Sequence, residues 1–148
     1  MRNNRDNKKD MTEKAIVVNS IVTPDGTRLT SHHRHDYKDY TDKNGLTYMV
    51  DGGTDYVRYT VHEEAPAKIE TFYFSDDIED IRKYHCRGGR GKDGKQPLTW
   101  VPLCEMSDEW LKACVDYNID RGIGYHTATL LYLRELDYRF KNNITIED

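Results

Sequence analysis

From Ala15 the chain turns abruptly apolar. AIVVNSIV carries β-branched residues on both parities, the pattern of a strand covered on both faces or placed centrally in a sheet. TPDGT, Thr23 to Thr27, joins a proline that presets the first turn position to a glycine that accepts positive φ, and predicts a hairpin into RLTSHHRHDY, taken as one unbroken strand. DKNG, Asp42 to Gly45, predicts a second hairpin turn leading into LTYMV, and DGGT breaks that strand. DYVRYTVH then alternates, with Val57, Tyr59 and Val61 on one side and Tyr56, Arg58, Thr60 and His62 on the other, and AKIETFYF closes the series. The count is five or six strands in an antiparallel meander.

After residue 75 the period changes. Ser75 is placed to cap a short helix, DDIEDIRKYH, whose acidic first turn suits the amide dipoles at that end. CRGGRGKDGKQP reads as a long glycine-rich loop, and LTWVPLCEM as a short strand or an irregular apolar segment. Ser107 caps a helix with Trp110, Leu111, Cys114, Val115 and Asn118 on one stripe, and RGIG ends it. A last helix, about Thr127 to Lys141, sets Leu130, Leu133, Leu136 and Phe140 on a face that would pair with its predecessor as a helical hairpin. Strands first and helices afterwards define an α+β fold: an N-terminal antiparallel sheet of five or six strands, a short helix and a C-terminal helical hairpin. Residues 1–12, MRNNRDNKKDMT, lack periodicity and apolar content and read as a disordered tail; residues 13–148 read as a single domain. No internal repeat is visible.

Composition narrows the chemistry. Hydrophobic residues are 36% and charged residues 32% of 148, so the apolar minority must concentrate on inner faces. Eleven tyrosines supply bulk with a polar hydroxyl, and tyrosine-rich strands over a thin core point to a homo-oligomer. A net charge of −4 argues against general nucleic-acid binding, which needs a basic excess to replace counterions. No apolar run approaches the roughly 20 residues that span a bilayer, and no charged-then-apolar leader opens the chain, so no membrane partner is expected. Cys86, Cys104 and Cys114 form no CxxC pair; Cys114 falls on the apolar stripe and is expected in the core.

The densest polar cluster is TSHHRHDYKDY. On an unbroken strand, parity puts His33 and His35 on the side of Leu29 and puts Arg34 with Arg28 on the other. Two imidazoles at i and i+2 can grip one transition metal, with Asp39, Asp51, Asp55 or His62 as a third ligand. The competing reading is that the histidines donate hydrogen bonds beside a sheet edge. GRGKDGKQ fails as a phosphate-binding P-loop, because Gln96 stands where a magnesium-holding hydroxyl belongs and Pro97 opposes a following helix. Arg87, Arg90, Lys92 and Lys95, interleaved with four glycines, can still surround a phosphate with amides and cations; the alternative is a mobile, solubilising surface loop. Arg34 and Arg58, with Tyr56 beside them, would add a basic and aromatic face suited to a phosphorylated ligand whose base stacks on tyrosine. No nucleophile stands in a catalytic context, there being no GxSxG elbow and no catalytic-cysteine signature.

The block TPDGTRLTSHHRHDYKDYTDKNGLTYMVDGGTDYVRY, about a quarter of the chain, resembles small uncharacterised proteins of tailed bacteriophages and prophages, chiefly through TPDGT, HRHDY and YMVDGGTDYVR. That resemblance implies an accessory protein in the cytoplasm of an infected bacterial host and assigns no chemistry. In outline, an antiparallel sheet followed by two helices is similar to the phage anti-Thoeris sponge proteins, which sequester cyclic ADP-ribose signals without cleaving them; no binding residue carries over. Together these readings predict a non-enzymatic protein with no cofactor that sequesters a phosphorylated small molecule, a cyclic nucleotide or cyclic ADP-ribose immune signal among the options. Arg34, Tyr56, Arg58, Arg87, Arg90 and Lys95 are the expected ligand-binding residues. The alternatives are a metal-dependent hydrolase built on His33 and His35, and a module that blocks a host protein.

Overall fold

The computed structural model describes residues 13–148, and the tail expected over Met1 to Thr12 lies outside them. The described residues form an α+β fold of eight short strands in antiparallel sheets, three α-helices and a 3-10 turn. The chain divides into two compact units, the first running to Ser75 and the second spanning Asp76–Asp148.

The first unit contains six strands, arranged as two three-stranded sheets. In one, β1 (Ile16–Val22) lies between β2 (Arg28–Thr30) and β6 (Lys68–Tyr73); in the other, β4 (Thr47–Asp51) lies between β3 (Lys38–Thr41) and β5 (Arg58–Tyr59). The central place of β1 explains its apolar residues on both parities, since Val17 through Ile21 are all buried. Ile21 from one sheet meets Tyr48 and Val50 from the other, with Leu29, Leu46, Tyr59 and Ala67 packed around them. Both predicted hairpin turns form. Gly26 and Gly45 take φ of +91° and +82°, and the Thr23 and Asp42 carbonyls accept from their amides.

Two strands are shorter than their sequence pattern. RLTSHHRHDY is extended only over Arg28–Thr30, because the buried Ser31 hydroxyl donates to the Asp36 carbonyl at 2.6 Å and the Asp36 carboxylate accepts from the His32 amide at 2.8 Å. These bonds curl residues 31–36 into a turn, and the expected sorting of His33, His35 and Arg34 onto opposite strand faces is lost; all three are exposed. DYVRYTVH keeps ladder pairing only at Arg58–Tyr59. Its approach is governed by DGGT, where buried Asn19 donates its side-chain amide toward the carbonyls of Asp51, Gly53 and Tyr56 at 3.0, 3.0 and 3.1 Å.

In the second unit α1 (Ile78–Tyr84) is capped at Asp77, not Ser75, and leads into β7 (Cys86–Gly89). The expected glycine loop is therefore half strand: β7 pairs with β8 (Thr99–Pro102), leaving residues 90–98 as the connection. A 3-10 turn (Leu103–Glu105) precedes α2 (Asp108–Asp120), where Ser107 Oγ accepts from the Trp110 amide, and α3 (Thr127–Lys141) completes the helical hairpin. Buried Asn118 and Thr129 tie the two helices through a 2.8 Å hydrogen bond. The α2 stripe is buried as predicted from Leu111 through Asn118, Cys114 included.

The α3 face departs from expectation. Phe140 is 85% exposed and Leu133 45%, whereas Leu131, Tyr132, Glu135 and Arg139 are buried. The rotation has an electrostatic cause. Glu135 takes two bonds from Arg82 Nε of α1, at 2.5 and 3.1 Å, while Arg139 donates to the Leu103 carbonyl and the Asp108 carboxylate, each at 2.7 Å. A face that satisfies two charges is buried ahead of a more apolar one that does not.

Candidate functional site

The predicted site residues fall in both units. In the first, Arg34 Nε lies 3.5 Å from the Asp55 carboxylate and Arg58 donates to Asp51 at 2.7 Å. Both arginines thus hold carboxylates of the same Asp51–Asp55 loop, and the exposed Tyr56 ring follows directly on it. Arg28 is likewise paired with Glu70. The basic face expected of Arg34 and Arg58 is charge-compensated by these carboxylates. His33 and His35 sit at the tip of the neighbouring turn, and among the described residues no three His, Cys, Asp or Glu side chains are grouped to hold a metal ion. The metal-hydrolase alternative is left without a ligand set.

The second unit holds a cleft of about 570 Å³ between the β7–β8 hairpin and α2. Register builds its floor: Arg87 pairs with Val101 and Gly89 with Thr99, so these four share one face of the ribbon and line the cleft. Arg90, Gly91 and Lys92 extend the wall into the connection, and α2 contributes Glu109, Trp110 and Ala113 opposite. Gly89 lies close under Trp110, and a β-carbon there would stand 3.0 Å from the indole ring. The connection itself is ordered by glycines at positive φ, Gly91 and Gly94, and by the Gln96 amide donating to the Arg90 carbonyl at 2.9 Å. A strand does precede this segment, unlike the expected helix. Another strand follows it where a P-loop would start a helix.

The cations differ in how they are held. Arg87 is half-buried and donates from Nη1 to Tyr132 Oη at 2.9 Å, with its guanidinium carbon 5.7 Å from the ring centroid. Burial opposes its charge, and the hydrogen bond to the Tyr132 hydroxyl, with the ionisable Tyr132, Cys114 and Tyr117 groups nearby, more than offsets that, so its pKa is raised. Lys92 lies 3.7 Å from Asp148. Arg90 and Lys95 are exposed and make no ion pair among the described residues; Lys95 does not line the cleft. Sequence reasoning missed Trp110, Glu109 and Asp148 as cleft residues. Trp110 was absorbed into the α2 core stripe, and only the narrow Gly88-Gly89 pair signalled that something large lies over the ribbon.

The arrangement can bind an anion at its cationic, amide-rich end and a flat group against Trp110. Among the described residues no helix is long and apolar enough to cross a membrane. The chain matches no family model, no curated protein and no solved structure.

Proposed function

We propose that the protein is a non-enzymatic binding protein that captures a phosphorylated small molecule in the cleft between the β7–β8 hairpin and α2. The observation that carries this reading is the meeting of Arg87, Arg90 and Lys92 with glycine backbone and the Trp110 indole around one cavity. Cations and amides suit phosphate, and the indole suits a nucleobase, which together describe a nucleotide. Sequestration of a nucleotide signal, in the phage setting that the sequence blocks imply, is the role that fits a cleft with an anion grip and no assembled nucleophile.

Calorimetric titration of the full chain with pyrophosphate, ADP and adenosine tests it. The expected result is saturable binding of pyrophosphate and ADP, recovery of ADP chemically intact after heat denaturation, and little affinity for adenosine. An R90A/K92A double variant should bind pyrophosphate roughly 10- to 100-fold more weakly, the loss of one to two charged hydrogen bonds. No measurable heat with either phosphate compound sinks the proposal.

A further inference from the structure

The segment after α3 returns to the same cleft. Asn143 takes a left-handed φ of 56°, the Ile144 amide donates to the Arg139 carbonyl at 2.9 Å, and the chain reverses. Ile146 is then clipped to the start of α2 twice. Its carbonyl accepts from the Asp108 amide at 2.9 Å, and its amide donates to Asp108 Oδ1 at 3.4 Å, an oxygen already held by Arg139. This clip delivers the Asp148 carboxylate into the wall of the cleft, 3.7 Å from Lys92 Nζ.

Resting on the cleft being an anion site, we infer that residues 145–148 form an internal competitor, with the Asp148 carboxylate occupying the Lys92 position that a ligand phosphate would take. The chemistry is complementary: Asp148 brings one negative charge to a cation that a phosphate would engage with more charge and more acceptor oxygens. The attachment is also weak enough to release. Lys92 is largely exposed, so its ion pair is screened and worth little, and of the two Ile146 bonds the amide's is long, leaving the 2.9 Å bond from the Asp108 amide as the main one that release must break. The Ser107 hydroxyl first, and the Lys92 ammonium after it, hold the Asp148 carboxyl below the usual carboxylate range. With Glu109 already lining the cleft, a phosphate entering beside an undisplaced Asp148 would face two carboxylates.

Full-length D148N and D148E proteins, titrated with pyrophosphate, test the inference, together with hydrogen exchange at the Ile146 amide. D148N should bind roughly 3- to 10-fold more tightly than the parent, as expected when a competing closed state holding most of the population is removed. D148E, which keeps the charge, should stay near the parent, and pyrophosphate saturation of the parent should speed Ile146 amide exchange. Unchanged or weaker binding by D148N overturns the competitor and leaves the cleft as an anion site. Tighter binding with Ile146 protection intact also overturns it, because the segment was not displaced. If neither parent nor variant binds pyrophosphate, the site and its competitor fall together.

Discussion

Tyr132 Oη accepts a hydrogen bond from Arg87 Nη1 at 2.9 Å, which makes a buried residue of α3 the support for a cation on the cleft floor. Without the hydroxyl, Arg87 keeps its charge and loses its aim. Y132F should therefore cost about 1 kcal/mol of stability in urea denaturation and weaken pyrophosphate binding several-fold, with the phenyl body still filling its place. Wild-type affinity in Y132F would remove Arg87 from the binding machinery.

Glu135, fully buried, accepts from Arg82 and forms a longer ion pair, 3.4 Å, with Arg139 Nε. Burial opposes the Arg82 charge, and the Glu135 carboxylate reverses the balance, so the Arg82 pKa is raised. Replacing Glu135 alone by alanine leaves the Arg82 guanidinium without its anion and Arg139 with Asp108 alone, and should cost roughly 3–5 kcal/mol. An R82M/E135L double variant should lose markedly less than the sum of its single changes, a coupling that a double-mutant cycle measures directly.

Gly53 has φ +53°, and a β-carbon there would stand 2.1 Å from the His33 carbonyl carbon. Backbone cannot yield as a flexible side chain would. G53A should destabilise the chain by roughly 3 kcal/mol or more, whereas G94A, which meets nothing within 4 Å despite its own positive φ, should cost only its backbone strain, about 1 kcal/mol. Thermal midpoints of the two variants separate these effects.

Carboxylates in the first unit set its response to acid. Burial tends to raise the Asp36 pKa, but the His32 amide and the Lys38 ammonium outweigh it and the net shift is downward; Glu70 is lowered likewise, with Arg28 and Lys68 overcoming burial. A group whose folded pKa is depressed stabilises the fold above its unfolded pKa, and that stability drains away as pH falls through the lower folded value. Stability should hold from neutrality down to about pH 5 and then drop, with D36N flattening the drop. An identical pH profile in D36N would show that the Asp36 carboxylate contributes none of it.

Burial first, then Cys104 and Glu105 nearby, pushes the Cys86 thiol up to about 11. The thiolate is the reactive form, so at pH 8 Cys86 should react with iodoacetamide about 100-fold more slowly in the folded chain than in urea. Mass spectrometry of partially labelled protein reads this directly, and rapid labelling of native Cys86 would contradict the shielding of its half-buried thiol.

Local chemistry fixed much of this molecule in advance. The turn glycines at Gly26 and Gly45, the Ser107 cap, the central strand Ile16–Val22 and the α2 stripe all follow from interactions within a few residues, or from a strand's need for cover on both faces. Tertiary structure decided the rest, because the deciding partners are far apart in the chain. Asn19 shapes a loop more than thirty residues away, Arg82 turns α3 by binding Glu135, and Ser31 and Asp36 replace a strand with a turn that the Gly53 amide ties down through the Ser31 hydroxyl. The sequence marked Arg87 and Arg90 as cations among glycines. Their conversion into a lined cleft required Trp110 to pack over Gly89 and residues 143–148 to fold back, long-range packing of which the Gly88-Gly89 pair is the single local trace.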